Sequence, residues 1–483
     1  MNPGGFRGAA SGLTKLTRSA GWLSSAFSPA KLWTMKRLLT CFVICPNFAS
    51  AHATEQAFVL LLPTQIYTAA GVVAVALTVA ALFLLPDRVV HAAFASRPRA
   101  PRSAMRLASA TSLISFVILA ALVALGIAGP RDPLSNLMPL IFWSVGWVGV
   151  VSLSGLFGNL WLWLNPWTGL YTLLAPDWRQ RPLPERWGLW PATVLVIAFT
   201  AFLLADIAPD DPGRLATFVA VYWTITMTGL LISGPSWLRQ AELGHAICAT
   251  YAKLTPWAKS GIGGPGWQLL APQRVATGFF ALTLLGAGSF DGINETFWWL
   301  GLIGVNPLEF PGRSAVVFET LLGLASALFL LYLAFALCVW LGIRLGRSPA
   351  PFWGTAERLA LAMLPIALVY HIAHYLPSFL VSSQYTLAAL TDPLNSGADL
   401  LGLGEFRVTT GFFNRLDTVR PIWLTQAGLV VLGHVWSVML AHRIAFDLFG
   451  KGRKAALATL PLSLFMIAYT FLGLWLLAAP RGA

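Results

Sequence analysis

Six residues of this chain pair a metal-binding or proton-moving side chain with a place in or beside long apolar runs: Asp291, Glu295, Glu319, His371, His374 and His434. Ionisable groups in such runs are costly to bury and by default mark function. His371 and His374 lie in "PIALVYHIAHYLPSFLVSSQ", spaced i, i+3, so on a helix they share a face and converge on one point. Neutral imidazoles with a carboxylate form the ligand set of a catalytic zinc or similar divalent ion. Such an ion lowers the pKa of bound water and polarises an ester. The same histidines could instead hydrogen-bond to neighbouring helices as polar glue, or ligate a haem.

These residues need a scaffold, and the composition defines it. Of 483 residues, 57% are hydrophobic and only 11% charged, too few charges to cover a water-soluble surface. The expected fold is therefore an all-α, polytopic integral membrane bundle. The net charge of +13 is spread between apolar runs without a basic patch interleaved with aromatics, so no nucleic-acid partner is expected. Twenty-one Trp and nine Tyr suit the two membrane interfaces.

Ten runs are long enough to be expected to cross: 64–86, 109–129, 137–164, 187–207, 214–233, 274–288, 314–343, 359–382, 422–446 and 456–479. The mixed stretch "LRQAELGHAICATYAKL" is expected along the interface. Alternate loops collect nineteen basic residues against seven in the other set, which also carries Asp206, Asp291, Glu295, Asp392 and Asp399. By the positive-inside rule the richer set is cytoplasmic, placing both mature termini in the periplasm of a bacterial inner membrane. Counting 1.5 Å per residue, His371 and His374 then lie ~12–16 Å below the outer surface, Glu319 about 9 Å and His434 about 16 Å, in one layer of the outer half. The expected metal ligands are thus His371, His374, His434 and Glu319. His442 is too far along its helix to join them.

The segment "GAGSFDGINETFWWLGLIGVNPLEFPGRS" carries Ser289, Asp291, Asn294 and Glu295 after a short run, and Gly292 would permit a turn. It reads either as a re-entrant stretch over 286–313 lining a cavity or as an acidic outer loop. In the first case Asp291 or Glu295 is the candidate catalytic base. The outer loop 381–421 is the largest soluble segment and could act as a lid or a connector. No Walker loop, GxSxG, HExxH or CxxC occurs.

Residues 1–53 read as an amino-terminal extension plus a secretory signal peptide, and 54–483 as the membrane domain. From Met35, "MKRLLTCFVICPNFASAHATEQ" offers a basic start, a short apolar core and a small-x-small site ending at Ala53. Cys41 and Cys45 would leave with it, and Cys248 and Cys338 lie in separate apolar segments, which excludes a disulfide framework or cysteine metal cluster.

"GNLWLWLNPW", "SFDG", "NPLEFPGRS", "HIAHY" and "GHVWSVMLAHR", in this order, resemble the bacterial polytopic membrane proteins known as fenitrothion hydrolases, over most of the chain from Ala57 onward. The resemblance implies hydrolysis of a lipophilic organophosphorus triester at its aryl ester bond, releasing a nitrophenol and a dialkyl thiophosphate. It carries over no catalytic residue. The stretch "HATEQAFVLLLP" lacks the His-Gly-rich opening of those relatives, so His52 gains no ligand role. A transporter or permease, and a haem- or copper-binding redox subunit, are the other readings of the same residues; a second subunit is left open.

Overall fold

A backbone among hydrocarbon chains can satisfy its N–H and C=O groups only internally, so apolar runs of this length become helices. The computed structural model describes residues 62–98, 105–174, 180–258, 260–404, 406–450 and 452–481. These belong to one unit, His52–Ala483. The extension and signal peptide expected over 1–53 lie outside the described residues.

The chain runs through α1 (Thr64–Leu84), α2 (Met105–Ala128), α3 (Leu137–Phe157), α4 (Trp190–Ala205) and α5 (Pro212–Ser233). A short helix α6 (Leu243–Tyr251) precedes α7 (Thr277–Asn294) and α8 (Val317–Leu345). Then α9 (Phe352–Ala360) passes through a 3-10 turn into α10 (Leu364–Thr391), followed by α11 (Leu416–Phe449) and α12 (Arg453–Ala478). Three short antiparallel strands, β1 (Ser96–Pro98), β2 (Trp257–Ala258) and β3 (Gly261–Gly263), pair with β3 central and Arg97 opposite Ile262. They mark the sheet end of the bundle; the segment 392–415 marks the loop end.

Among the described residues, eight helices, not ten, are long and apolar enough to cross a membrane. The two expected spans that fall short are α4 and α7. With 16 and 18 residues, they rise only about 24 and 27 Å against a hydrocarbon layer of ~30 Å. Ser289, Asp291 and Asn294 also dilute the apolar character of α7. Bare aromatic rings on α8, such as Phe329 at 65% exposure, fit a lipid-facing surface.

The expected break at Gly292 is absent: α7 continues unbroken to Asn294. Gly292 serves close packing, since a Cβ there would stand 2.1 Å from the Tyr370 hydroxyl. Gly288, one turn earlier, faces the same ring, which a Cβ there would meet at 3.7 Å. The pair forms a small-xxx-small face that lets α10 approach α7. In α3, residues Leu140–Val150 form a π-helix, a rare geometry that recurs at functional sites. At the loop end α10 runs nine residues past its expected limit. Gln384 then holds Thr409 through two backbone hydrogen bonds of 3.0 Å, tying the connecting segment to the helix.

A buried acid sits at the sheet end, where sequence reasoning expected only an interfacial helix. Glu242, 1% exposed, caps α6 by accepting from the backbone N–H groups of Gly244 and His245 at 2.8 and 2.6 Å. It also accepts from Trp161 Nε1 at 2.8 Å and from the Tyr222 hydroxyl at 3.3 Å. Burial pushes its carboxyl up to about 7, against these four hydrogen bonds, which favour the ionised form. The folded state then holds a proton that the unfolded chain has released, so this group makes stability fall as pH rises from about 4.5 to about 7. Melting followed at pH 5 and pH 8 should show the higher midpoint at pH 5, and Glu242→Gln should flatten the difference. Glu242→Ala orphans two buried donors and the cap, at roughly 1–3 kcal/mol for each unsatisfied group; a melting curve like wild type would show that the cluster is not structural.

Candidate active site

Asp291, on α7, is 6% exposed, and His374, on α10, 8%. His374 Nε2 lies 3.2 Å from Asp291 Oδ2. The Tyr375 hydroxyl donates a short hydrogen bond to the same oxygen. A carboxylate within an apolar bundle persists when its lone pairs are filled this way. With Nε2 turned to the carboxylate, the ring carries its proton there and leaves a lone pair on Nδ1. That Nδ1 is buried and has no partner among the described residues.

Aromatic rings fix the imidazole. Tyr370 stacks on it at 5.7 Å and 11°, and Tyr375 meets it edge-on at 4.7 Å. Tyr370 and Tyr375 precede and follow His374 on α10. His371, one turn below, donates Nε2–H to the Trp147 carbonyl in the π-helical stretch at 3.0 Å. Its ring stands edge-on to Trp147 at 5.0 Å. Asp291, His371, His374, Tyr370, Tyr375 and Trp147 all line a cavity of about 30 Å³, room for about two waters at ~10–15 Å³ each.

The other expected site residues stand apart. His434, on α11, is 1% exposed; its Nδ1–H donates to Val430 O at 2.8 Å and its ring approaches Tyr469 of α12 at 6.4 Å. Glu319 lies half-buried in the first turn of α8, and its carboxylate makes no hydrogen bond or ion pair among the described residues. Glu295 follows α7 in the open, 3.6 Å from Arg481 Nη1 with 45% of its side chain exposed. Asp291, not Glu295, therefore faces the histidines. The described residues gather no group of three or more His, Cys, Asp or Glu suited to a metal. A catalytic zinc takes three protein ligands. Here one imidazole and one carboxylate meet, while the His371 Nε2 is committed to a carbonyl, so this donor set does not fit such an ion.

Sequence reasoning singled out Asp291 and His374 but assigned them to different tasks, and missed Tyr370, Tyr375 and Trp147. Tyr375 carried a signal, as a phenol in the same motif one turn from His371. The Trp147 contact had none, because nothing local couples α3 to α10. Comparison of the chain with models of known protein families, with curated proteins and with solved structures finds no match.

Proposed function

We propose that the chain is a membrane-embedded hydrolase of lipophilic organophosphorus triesters, in which the Asp291–His374 pair activates the attacking water. The observation that carries this reading is a single arrangement: His374 Nε2 is held 3.2 Å from Asp291 while its Nδ1 is buried and unpartnered among the described residues, and both side chains belong to residues that line a cavity of water size. In the proposed step, water in the cavity attacks phosphorus as its proton passes to Nδ1. The bond from phosphorus to the aryl oxygen breaks, and nitrophenolate leaves with the electron pair. Asp291 stabilises the imidazolium, which afterwards returns its proton to bulk water. Tyr375 holds the carboxylate in place. The loop end faces the periplasm in this reading, since the loops of the sheet end hold most of the basic residues.

The test is nitrophenol release from a nitrophenyl phosphotriester by the detergent-purified chain. Release that persists after dialysis against a chelator is expected from the donor set; loss of activity with loss of a stoichiometric ion would overturn the metal-free step. Tyr375→Phe should slow release about tenfold, the effect of one hydrogen bond to a charged group. An unchanged rate would remove Tyr375 from the mechanism.

One observation favours a second reading. The cavity, at about 30 Å³, holds waters but no triester without movement of its aromatic walls. A proton-coupled carrier using Asp291 and His374 would need no larger space. Such a carrier would move protons in sealed vesicles and leave the ester intact.

A further inference from the structure

Three cations gather at the sheet end without an ion pair to neutralise them. Arg274, just before α7, donates from Nη1 to the Arg239 carbonyl at 2.7 Å. Lys253, just after α6, donates from Nζ to Gln273 Oε1 at 2.6 Å. Burial, and then the fields of Arg274, Arg239 and Lys253, hold the His245 imidazole of α6 down to about 4, so all three charges act on one place. None of them makes an ion pair among the described residues, whereas Arg358 and Arg443, also at the sheet end, share Asp447. Two acids temper the cluster, Glu185 acting on Arg274 and Glu357 on Lys253. Glu185 is exposed and forms no ion pair among the described residues, and Glu357 gives an oxygen to the Gly278 N–H at 2.8 Å. Arg239 and Arg274 are both exposed.

An apolar stripe begins beside these cations. The Val275 carbonyl, next to Arg274, accepts from the Leu189 N–H at 2.9 Å, and Trp190 stacks on Phe279 of α7 at 5.6 Å and 19°. From there Trp190, Val194 and Ile197 recur at i, i+4 and i+7 along α4, 45%, 64% and 37% exposed. A row of bare apolar side chains suits hydrocarbon. Guanidinium groups at its end suit phosphate, which they bind through forked, charge-assisted hydrogen bonds. A phospholipid offers both in one molecule, while a free phosphate has no use for the stripe. A choline headgroup would bring a further cation to the cluster, so the fitting lipid is a net anion. We propose that Arg239 and Arg274 seat the phosphate of an anionic phospholipid, with Lys253 adding to the field, while an acyl chain lies along Trp190, Val194 and Ile197. This site shares no residue with the Asp291–His374 pair and does not rest on hydrolysis.

Native mass spectrometry of the full chain in detergent, titrated with phosphatidylglycerol, phosphatidylcholine or inorganic phosphate, tests the site. The wild type is expected to retain one phosphatidylglycerol, at least tenfold tighter than phosphatidylcholine with the same acyl chains. Arg239→Gln should weaken retention about fivefold and Arg239→Gln/Arg274→Gln about twentyfold, at roughly fivefold for each cation near a membrane surface. The Arg239 bond to Arg274 is made by the backbone carbonyl, so Arg239→Gln leaves it in place. An unchanged melting midpoint without lipid then separates lost binding from misfolding, and Arg239→Lys should keep most of the affinity. Arg344, another exposed cation at the sheet end, sits over Trp340 at 5.3 Å, and Arg344→Gln should bind as the wild type does. Equal retention of phosphatidylcholine, unchanged affinity in the double variant, or an equal loss in Arg344→Gln would overturn the site. So would inorganic phosphate that binds as tightly as the lipid, since the stripe would then contribute nothing.

Discussion

Asp291→Asn lowers nitrophenol release at least a hundredfold while leaving the protein folded. The asparagine keeps the size of the side chain and one acceptor for the Tyr375 hydroxyl, whose bond to Asp291 helps dock α10 on α7. It removes the negative charge 3.2 Å from His374 Nε2. Without it, an imidazolium forming in a buried site has no counter-ion, and the ring loses the partner that keeps its lone pair on Nδ1. Removing a positioned general base or its orienting group costs ~10²–10⁴ in rate. The defect should appear in kcat with little change in KM, because Asp291 acts on water and not on the ester. A fall confined to KM would mean that the carboxylate only shapes the pocket. A rate within threefold of wild type would remove the pair from the reaction.

Gly342→Val should abolish the folded protein. Gly342 sits where α8 crosses α12, and a Cβ there would stand 2.2 Å from the backbone carbonyl of Ala458. Unlike a side-chain tip, a helix backbone cannot move aside, so the two helices must separate. Overpacking in a tight core costs ~1–3 kcal/mol even where side chains can shift, and here packing is the main force between helices in lipid. Loss of the monodisperse peak in size-exclusion chromatography is the expected readout. Gly428→Ala is the matched comparison: its Cβ meets nothing within 4 Å, and removing a helical glycine should raise the melting midpoint slightly. If both variants behave as wild type, the α8–α12 crossing is looser than described.

The bundle was legible in the sequence because hydrocarbon imposes one demand on every residue of a span: sustained apolarity over about 20 positions. That rule misread α4 and α7, both short of a full span: α7 is covered by its neighbours and relieved of that demand, whereas α4 still exposes Val194 and Ile197. The heart of α7 is buried from Phe280 to Gly292 almost without interruption. A helix surrounded by protein can be short and can carry Asp291, whereas a window of hydropathy treats both as departures. Gly292 shows the same limit. As a letter it allows a turn, but with Gly288 it forms a spacing that signals close helix approach, and Tyr370 occupies that face.

Order along each helix was also legible. Depth was not, because it depends on the helix ends: α11 begins at Leu416 rather than 422, and α8 begins only two residues before Glu319. Nor was azimuth. His434 turns toward Tyr469, and Glu319 begins α8 at the edge of the bundle. Metal ligation requires side chains to converge, and convergence depends on the rotation of each helix about its own axis, which packing decides. The His371–His374 spacing proved true as a shared helix but not as a shared partner: one ring takes a carbonyl from α3 and the other a carboxylate from α7. Glu242 escaped notice because its segment reads as amphipathic, and its four donors come from three separate places in the chain.

Hydrolysis of a nitrophenyl phosphotriester in H₂¹⁸O by the purified full-length chain probes the central claim most directly. If His374, held by Asp291, draws the proton from an attacking water, the dialkyl phosphate gains one ¹⁸O, the nitrophenol gains none, and His374→Gln loses the reaction. Absence of product from the wild type, or equal labelled product from His374→Gln, would contradict it.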